Sequence, residues 1–314
     1  MIQYKTIAIP QETIAQKSIF PVRTVPYVSE TVIIPSNMGV PLTGSLYTPE
    51  QPNDRLCIIN SATSVRRGFY KGAAEFLRQK GFTVLTYDRQ GNGDTALALA
   101  SEKGTSIPDT DIDITRWGTD DFEGALKWGK SIFPDKQIVT LGHSLGGVII
   151  PQAESSATLV KRAVTVATGA PEPLVGALLR TYITSISPLT GAAPTNNFLG
   201  AETPTLVSLE MATFLGQKKF MASDLKLLAK MNEFRAPTLA ISPAGDPLST
   251  QNTIKEFHSH WGGKNRVWHI KPTSQLVGGV RIKPGIIGHV GFFNNPNTPH
   301  FLGRVASFLL GKIK

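Results

Sequence analysis

Residues 137–148 read QIVTLGHSLGGV, and this stretch decides the fold of the chain. Its first five residues form an apolar, β-branched run of the length of a buried strand. The pentapeptide GHSLG follows, and a second apolar run begins at Val148 without a linker. A strand that turns sharply into a helix strains the central serine, and flanking glycines admit backbone where a Cβ atom would clash. The pattern predicts a nucleophilic Ser144 at the carboxyl edge of a sheet.

Short β-branched runs recur along the rest of the chain and alternate with stretches of helical periodicity. The first two runs are joined by a tight turn and predict an antiparallel pair, whereas the later six are apolar enough to be buried on both faces. The eight predicted strands span residues 31–34, 42–47, 56–60, 82–87, 137–141, 162–167, 237–242 and 266–270. Helical crossovers between them predict an α/β fold with a mostly parallel sheet of eight strands.

Helical periodicity fills residues 70–80, 120–131 and 146–155, and a C-terminal helix is predicted with Thr298 as its N-cap. One interval breaks the β-α rhythm, because after Gly169 the next strand is delayed to Pro237. Helical segments occupy this interval at 174–186, 207–215 and 224–231. A helical cap inserted after the sixth strand explains the delay. We therefore expect an α/β core in residues 1–170 and 236–314 around a helical cap at 171–235.

The run GHSLGG at 142–147 resembles the nucleophile elbow of α/β-hydrolases, a family of esterases, lipases, thioesterases and related enzymes. Upstream, YDRQGNGDT at 87–95 is similar to the family's Asp-x-Arg-Gly-x-Gly-x-Ser segment, with Gln90 in place of the Arg and Thr95 in place of the Ser. The resemblance covers most of the chain outside the expected cap and is closest to an esterase and lipase-like branch. It implies that an acid and then a histidine follow the serine along the chain.

Five histidines lie beyond Ser144. Three fall inside a predicted helix or strand, and we interpret them as structural: His258, His260 and His269. His300 lies just inside the last helix. His289 lies in a glycine-flanked loop after the final strand, and relatives often carry a similar Gly-His-x-Gly-Phe-Phe segment. We therefore predict that His289 is the general base.

Asp246 is the acid that the sequence favours, because it alone lies just beyond a buried strand in the interval between the serine and the histidine. A carboxylate there would fix the imidazole tautomer and stabilise the imidazolium. An ordinary Gly-Asp-Pro turn is the alternative interpretation of Asp246, and Glu172 is the reserve acid.

Two backbone amides are expected to bind the oxyanion. The first is the Leu145 N–H at the helix N-terminus behind Ser144. By the resemblance, the second comes from residues 60–63, which stand where relatives often have His-Gly-x. The Ala62 N–H is the expected donor, with Thr63 as the near alternative.

Composition sets limits on location and partners. The single cysteine, Cys57, lies in an apolar run and is interpreted as buried filler. Residues 1–16 lack the apolar core of a signal peptide, and no stretch approaches the roughly 18 apolar residues of a membrane span. We expect a cytoplasmic protein without a transmembrane segment.

Charge is unevenly distributed along the chain. From Gln251 to Lys314, nine Lys or Arg residues accompany one acid, Glu256, in a protein of net charge +9. Such an excess can attract anionic substrates, anionic membranes or nucleic acid. No nucleic-acid motif accompanies it, so we interpret it as a solvated basic face and expect no nucleic-acid partner.

These features predict a serine hydrolase that cleaves a carboxylic ester of a small to medium apolar substrate without a cofactor or metal. Two alternatives stay open. The same triad serves a thioesterase or acyltransferase, for which the basic C-terminal third would attract a phosphorylated carrier, and the fold also supports non-catalytic binding proteins. The acyl pocket is expected among apolar cap residues, although core packing explains each of them equally well: Leu178, Tyr182, Phe198, Met211 and Phe214.

Overall fold

A computed structural model describes residues 29–103, 112–190, 192–193, 203–215 and 224–313. Eight strands of the described chain form one sheet in the order β1-β2-β4-β3-β5-β6-β7-β8. They are β1 (Ser29–Pro35), β2 (Pro41–Tyr47), β3 (Arg55–Asn60), β4 (Thr83–Tyr87), β5 (Gln137–His143), β6 (Val160–Val166), β7 (Thr238–Pro243) and β8 (Asn265–Ile270). Strand β2 runs antiparallel to both its neighbours, and the remaining pairs are parallel. The predicted mostly parallel, eight-stranded sheet is confirmed.

Helices connect these strands and cover both faces of the sheet. They are α1 (Lys71–Gln79), α2 (Gly93–Lys103), α3 (Ile114–Arg116), α4 (Glu123–Ile132), α5 (Leu145–Val148), α6 (Ser156–Leu159), α7 (Pro173–Thr190), α8 (Thr205–Phe214), α9 (Leu225–Glu233), α10 (Gln251–Ser259) and α11 (Thr298–Leu309). Two short ribbons pair Ala192–Ala193 with Thr203–Pro204 and Gln275–Val277 with Val280–Ile282. Among the described residues, no helix is both long and apolar enough to cross a membrane.

Alternation along the central strands builds two hydrophobic cores. On β3, Ile58 faces one core with Phe122 and Phe257, whereas Cys57 and Ile59 face the other. Side chains of a strand point to opposite faces in turn, so a strand apolar at every position is buried on both sides. Helices α4 and α10 cover the first face, and α1 and α11 cover the second.

Strand β8 departs from the predicted burial. Its residues are half-buried or exposed except for the buried Ile270, because β8 is the last strand of the sheet and pairs only with β7. The expectation that residues 266–270 are buried on both faces is therefore wrong.

The predicted helix at 146–155 is also interrupted. Helix α5 ends at Val148, and a 3-10 turn at Ile150–Gln152 follows it. Pro151 has no N–H to donate to the carbonyl of Gly147, so the α-helical ladder stops here.

The last helix begins one residue earlier than its predicted cap requires. Asn297 precedes α11, and Thr298 is its first residue. The Thr298 hydroxyl donates to the carbonyl of Phe292 at 2.8 Å, whereas a capping hydroxyl would accept from an N–H of the first helical turn. The N-cap assignment of Thr298 is therefore wrong.

Three helices, α7, α8 and α9, lie in the interval where the sequence predicts a cap. Helices α7 and α8 pack against each other. The Glu210 carboxylate of α8 accepts from the Ile114 N–H at 2.5 Å and the Thr115 hydroxyl at 3.0 Å, which ties α8 to the segment before α4. The domain boundaries at 171–235 stay a prediction.

Candidate active site

The elbow forms where β5 meets α5. Ser144 adopts φ +53° and ψ −121°, a region that side-chain-bearing residues rarely occupy. Its N–H donates to the Val166 carbonyl at 2.8 Å, and its own carbonyl accepts from the Thr168 hydroxyl at 3.0 Å. Gly146 permits the turn, because a Cβ atom there would lie 2.2 Å from the carbonyl oxygen of Asn60. These hydrogen bonds with Val166 and Thr168 therefore hold Ser144 in its strained backbone conformation.

The structure brings together the three residues that the sequence proposes as a triad. His289 Nε2 lies 2.8 Å from Ser144 Oγ. His289 Nδ1 lies 2.9 Å from Oδ2 and 3.1 Å from Oδ1 of Asp246. The Asp246 side chain is fully buried, whereas 15 % of the His289 side chain is exposed. The carboxylate is therefore shielded from water and the imidazole edge faces the cavity.

Asp246 is held by backbone as well as by the imidazole. Its Oδ1 accepts from the N–H groups of Leu248 at 2.9 Å and Ser249 at 3.2 Å. These two N–H groups fix the orientation of the carboxylate toward His289 Nδ1. The reserve acid, Glu172, instead accepts from the Thr250 hydroxyl at 2.7 Å, and no contact joins it to His289.

The remaining histidines have other surroundings. His258 is buried between the Thr165 hydroxyl and the Ile254 carbonyl, and burial lowers its pKa to about 4. His269 contacts the Ser242 hydroxyl at 3.1 Å on the edge strand.

The two candidate amides of the oxyanion loop have different surroundings. Leu145 is the first residue of α5, so its N–H has no acceptor within the helix. The Ala62 N–H, however, donates to the Tyr70 hydroxyl at 2.8 Å. Ala62 and Thr63 both line the cavity beside Ser144. Because the Ala62 amide already has an acceptor, the Thr63 amide, the alternative that the sequence offers, is the one that we favour as the second donor.

His143 is a site residue that the sequence analysis missed. It is fully buried, its Nδ1 lies 2.8 Å from the Tyr70 hydroxyl, and its Nε2 lies 2.9 Å from the carbonyl oxygen of His289. Burial, with the neighbouring His289, lowers the pKa of His143 to about 3, so its ring is neutral at pH 7. The only signal in the sequence is the position of this histidine directly before the nucleophile.

Gln90 and Thr95, the two departures from the family's 87–95 segment, both find partners. The Thr95 hydroxyl donates to the Asp88 carbonyl at 2.7 Å and accepts from the Thr43 N–H at 2.8 Å. The Gln90 side-chain amide donates to Asp120 at 2.9 Å and to Asp121 at 2.6 Å.

The neutral Gln90 amide bridges two buried carboxylates but adds no positive charge between them. Burial, together with the neighbouring Asp120, raises the pKa of Asp121 to about 7. Gln90 thus supplies hydrogen bonds to the two carboxylates without supplying a compensating charge.

A cavity of about 200 Å³ opens beside Ser144 and His289. Apart from those two residues, its lining is mainly apolar and includes Leu179, Ile183, Leu215 and Val290. Of the proposed pocket residues, Tyr182 and Met211 line the cavity.

Three other pocket assignments fare differently. Leu178 points away and is 65 % exposed, because adjacent residues on a helix differ by about 100° in direction. Phe214 packs against the core, and Phe198 lies outside the described residues. Leu179 takes the place that the sequence analysis gave to Leu178.

Neither thiol chemistry nor a metal centre is apparent in the described ranges. Cys57 is buried as predicted, and burial raises the pKa of its thiol. Within these ranges, no group of three His, Cys, Asp or Glu residues is arranged to hold a metal ion.

Comparisons with solved structures agree with this architecture. The esterase Pf2001 of Pyrococcus furiosus is 17 % identical, with a TM-score of 0.59, and the alignment covers 91 % of this chain and 93 % of that one. A thermostable carboxyl esterase from Bacillus coagulans is 14 % identical, with a TM-score of 0.61 and coverage of 90 % and 98 %. The esterase EaEST of Exiguobacterium antarcticum is 12 % identical, with a TM-score of 0.60 and coverage of 90 % and 100 %. At these identities the likeness establishes the fold alone.

Sequence comparison gives the family directly. No curated protein matches the chain. The sequence model of the Alpha/beta hydrolase family, by contrast, matches residues 59–284, which span β3 to the second short ribbon and include Ser144 and Asp246. That match and the eight-stranded sheet agree, and the chain belongs to the alpha/beta hydrolase family.

Proposed function

We propose that this protein is a serine esterase that cleaves small to medium apolar carboxylic esters through an acyl-enzyme. The observation that carries the proposal is the continuous chain of contacts from Ser144 Oγ through both ring nitrogens of His289 to Asp246. A nucleophile, a base and an orienting acid in this arrangement define acyl-transfer chemistry on several folds.

In the first half-reaction, His289 Nε2 accepts the proton of Ser144 Oγ as that oxygen attacks the ester carbonyl carbon. A tetrahedral oxyanion forms, and the N–H groups of Leu145 and Thr63 stabilise its charge. His289 then gives the proton to the departing alkoxide, which leaves as the alcohol. The acyl group remains on Ser144.

In the second half-reaction, water replaces the alcohol. His289 accepts a proton from water as the hydroxide oxygen attacks the acyl carbonyl, and it returns the proton to Ser144 Oγ as the carboxylic acid departs. Asp246 remains ionised throughout, accepts from Nδ1–H and stabilises the imidazolium in both halves.

The cavity supports an apolar acyl group. Its walls carry few polar atoms besides the reacting ones, and several wall residues come from α7 and α8: Leu179, Tyr182, Ile183 and Met211. We propose that these helices act as a cap that selects the substrate, since one methylene more or less in an apolar pocket changes transition-state binding by about 1–3 kcal/mol.

Two assays on the purified protein test the function. Wild type should hydrolyse p-nitrophenyl butyrate and react covalently with a fluorophosphonate probe, and Ser144→Ala should abolish both signals. Ser131→Ala is the matched control, because Ser131 lies at the exposed end of α4. A wild type that neither turns over p-nitrophenyl esters nor becomes labelled would contradict the esterase proposal. Labelling that survives Ser144→Ala would contradict the nucleophile assignment.

A further inference from the structure

A buried hydrogen-bond chain crosses beneath the candidate active site. The Ala62 N–H donates to Tyr70 Oη at 2.8 Å, Tyr70 contacts His143 Nδ1 at 2.8 Å, and His143 Nε2 contacts the His289 carbonyl at 2.9 Å. Tyr70 and His143 are at most 1 % exposed. The chain joins three separate segments: the loop after β3, the end of β5 and the loop that carries His289.

With a neutral His143 ring, only one arrangement of hydrogens gives every group in this hydrogen-bond chain a partner. The carbonyl of His289 can only accept, so His143 Nε2 must carry a hydrogen. The His143 ring is neutral, which leaves Nδ1 as a bare acceptor. The Tyr70 hydroxyl accepts from the Ala62 amide and has one hydrogen, which it donates to His143 Nδ1. Every polar group in the chain therefore has a compatible partner.

Aromatic packing holds the side chains of this hydrogen-bond chain in position. The ring of Phe293 lies 5.0 Å from the rings of both Tyr70 and His143, and the ring of His143 lies 5.5 Å from that of His289. Tyr70 and His143 do not line the cavity. A change at either residue therefore affects bound substrate only through the backbone segments that the two residues hold.

We propose that Tyr70 and His143 are paired positioning residues that hold the oxyanion loop and the backbone of the base in one geometry. The inference rests on the proposed function, because it assigns the two segments as oxyanion donor and base. Tyr70 takes up the Ala62 amide, which leaves the next amide, that of Thr63, for the oxyanion. His143 holds the carbonyl of His289, whose ring must lie within hydrogen-bond distance of Ser144.

Tyr70→Phe tests the pair because it removes one hydroxyl and little volume. Without the hydroxyl, His143 loses the donor that fixes its tautomer and the Ala62 amide loses its acceptor. Misplacement of about 1 Å can cost about a hundredfold in rate, so we expect kcat to fall about tenfold to a hundredfold while KM stays within about twofold of wild type. Tyr47→Phe is the matched control, since it removes the hydroxyl of another buried tyrosine, on β2, which two strands separate from β5 in the sheet. It should lower stability similarly and leave kcat within about twofold.

A spectroscopic measurement tests the chain without relying on turnover. Nitrogen-15 NMR of the imidazoles should show His143 as the neutral Nε2–H tautomer in wild type, and Tyr70→Phe should change its Nδ1 signal. A His143 ring that is protonated at Nδ1 near pH 7 would overturn the proposal whether or not the protein cleaves esters. So would a folded Tyr70→Phe variant with wild-type kcat, or a Tyr47→Phe variant that loses as much activity as Tyr70→Phe. An unreactive wild type would instead count against the esterase function.

Discussion

His289 Nε2 lies within 2.8 Å of Ser144 Oγ although 145 positions separate the two residues in the chain. Strand β5 ends at His143, directly before Ser144, on the sheet edge that the loop after β7 reaches with Asp246. The segment before His289 is bonded to that same loop through the Ala244 carbonyl. Hydrogen bonds to the main chain hold both residues. The Ser144 N–H donates to the Val166 carbonyl, and the His143 ring contacts the His289 carbonyl. This arrangement supports the proposed proton transfer, because the two atoms are at hydrogen-bond distance before substrate binds.

The acid assignment predicts unequal effects of two similar substitutions. Asp246→Asn leaves a group that no longer stabilises the imidazolium, so kcat should fall by about ten-thousandfold. Glu172→Gln should stay within about twofold of wild type, because the Gln carbonyl oxygen still accepts from the Thr250 hydroxyl. Initial rates with p-nitrophenyl butyrate measure both. If Glu172→Gln loses most of its activity while Asp246→Asn keeps normal turnover, Glu172 and not Asp246 is the acid.

The elbow predicts that Gly146 cannot accept a side chain. In Gly146→Ala the Cβ atom would lie 2.2 Å from the Asn60 carbonyl oxygen and 2.3 Å from that of Ser61, so backbone must move. We expect a loss of about 3 kcal/mol in unfolding free energy, as for other overpacked sites.

Gly72→Ala is the control for the elbow prediction. Gly72 lies in α1 with no atom within 4 Å of the added methyl group, so this variant should gain up to about 1 kcal/mol. Urea unfolding measures both variants. Equal stability of the two would show that backbone does not press on Gly146.

The buried carboxylate of Asp121 predicts a pH-dependent stability. Its folded pKa, about 7, lies above its ordinary value of 3.8, so between these values the folded state holds a proton that the unfolded state has released. The contribution of Asp121 is therefore fully present below pH 3.8 and is lost as the pH rises through about 7.

Asp121→Asn tests the pH dependence because an amide does not titrate. The unfolding free energy of wild type should decrease more steeply from pH 5 to pH 8 than that of the variant. Urea unfolding at several pH values gives the two slopes, and their difference is the readout. Parallel slopes would show that Asp121 does not titrate in this range.

The positions of two adjacent leucines predict that only one of them affects the acyl-chain preference of the enzyme. Leu179 lines the cavity, whereas Leu178 is 65 % exposed. Leu179→Ala enlarges the pocket, so the ratio of kcat/KM for octanoate over butyrate esters should rise about tenfold. Leu178→Ala should leave that ratio unchanged. An equal change in both variants, or a change only at Leu178, would contradict the proposed acyl site.

The sequence predicted the strands well because each strand is coded by local alternation and by its bounding turns. All eight main-sheet strands lie within a few residues of their predicted positions. Two of the predictions failed because a tertiary neighbour decides the outcome. The burial of β8 depends on its position at the sheet edge, and the side of α7 that faces the cavity depends on how that helix is placed against the core.

The sequence by itself determined the elbow, the order of serine, acid and histidine, and the identity of each candidate, because these depend on residue type and on the ends of local elements. Only the tertiary structure shows that the Ala62 amide is bonded to the Tyr70 hydroxyl and that the His143 ring contacts the His289 carbonyl. The Tyr70 hydroxyl lies eight positions along the chain from the Ala62 amide that it takes up, and the His289 carbonyl lies 146 positions from the His143 ring that holds it. The first hydrogen bond closes an irregular loop that has no repeating pattern in the sequence. The second forms only because the sheet brings distant loops to one edge.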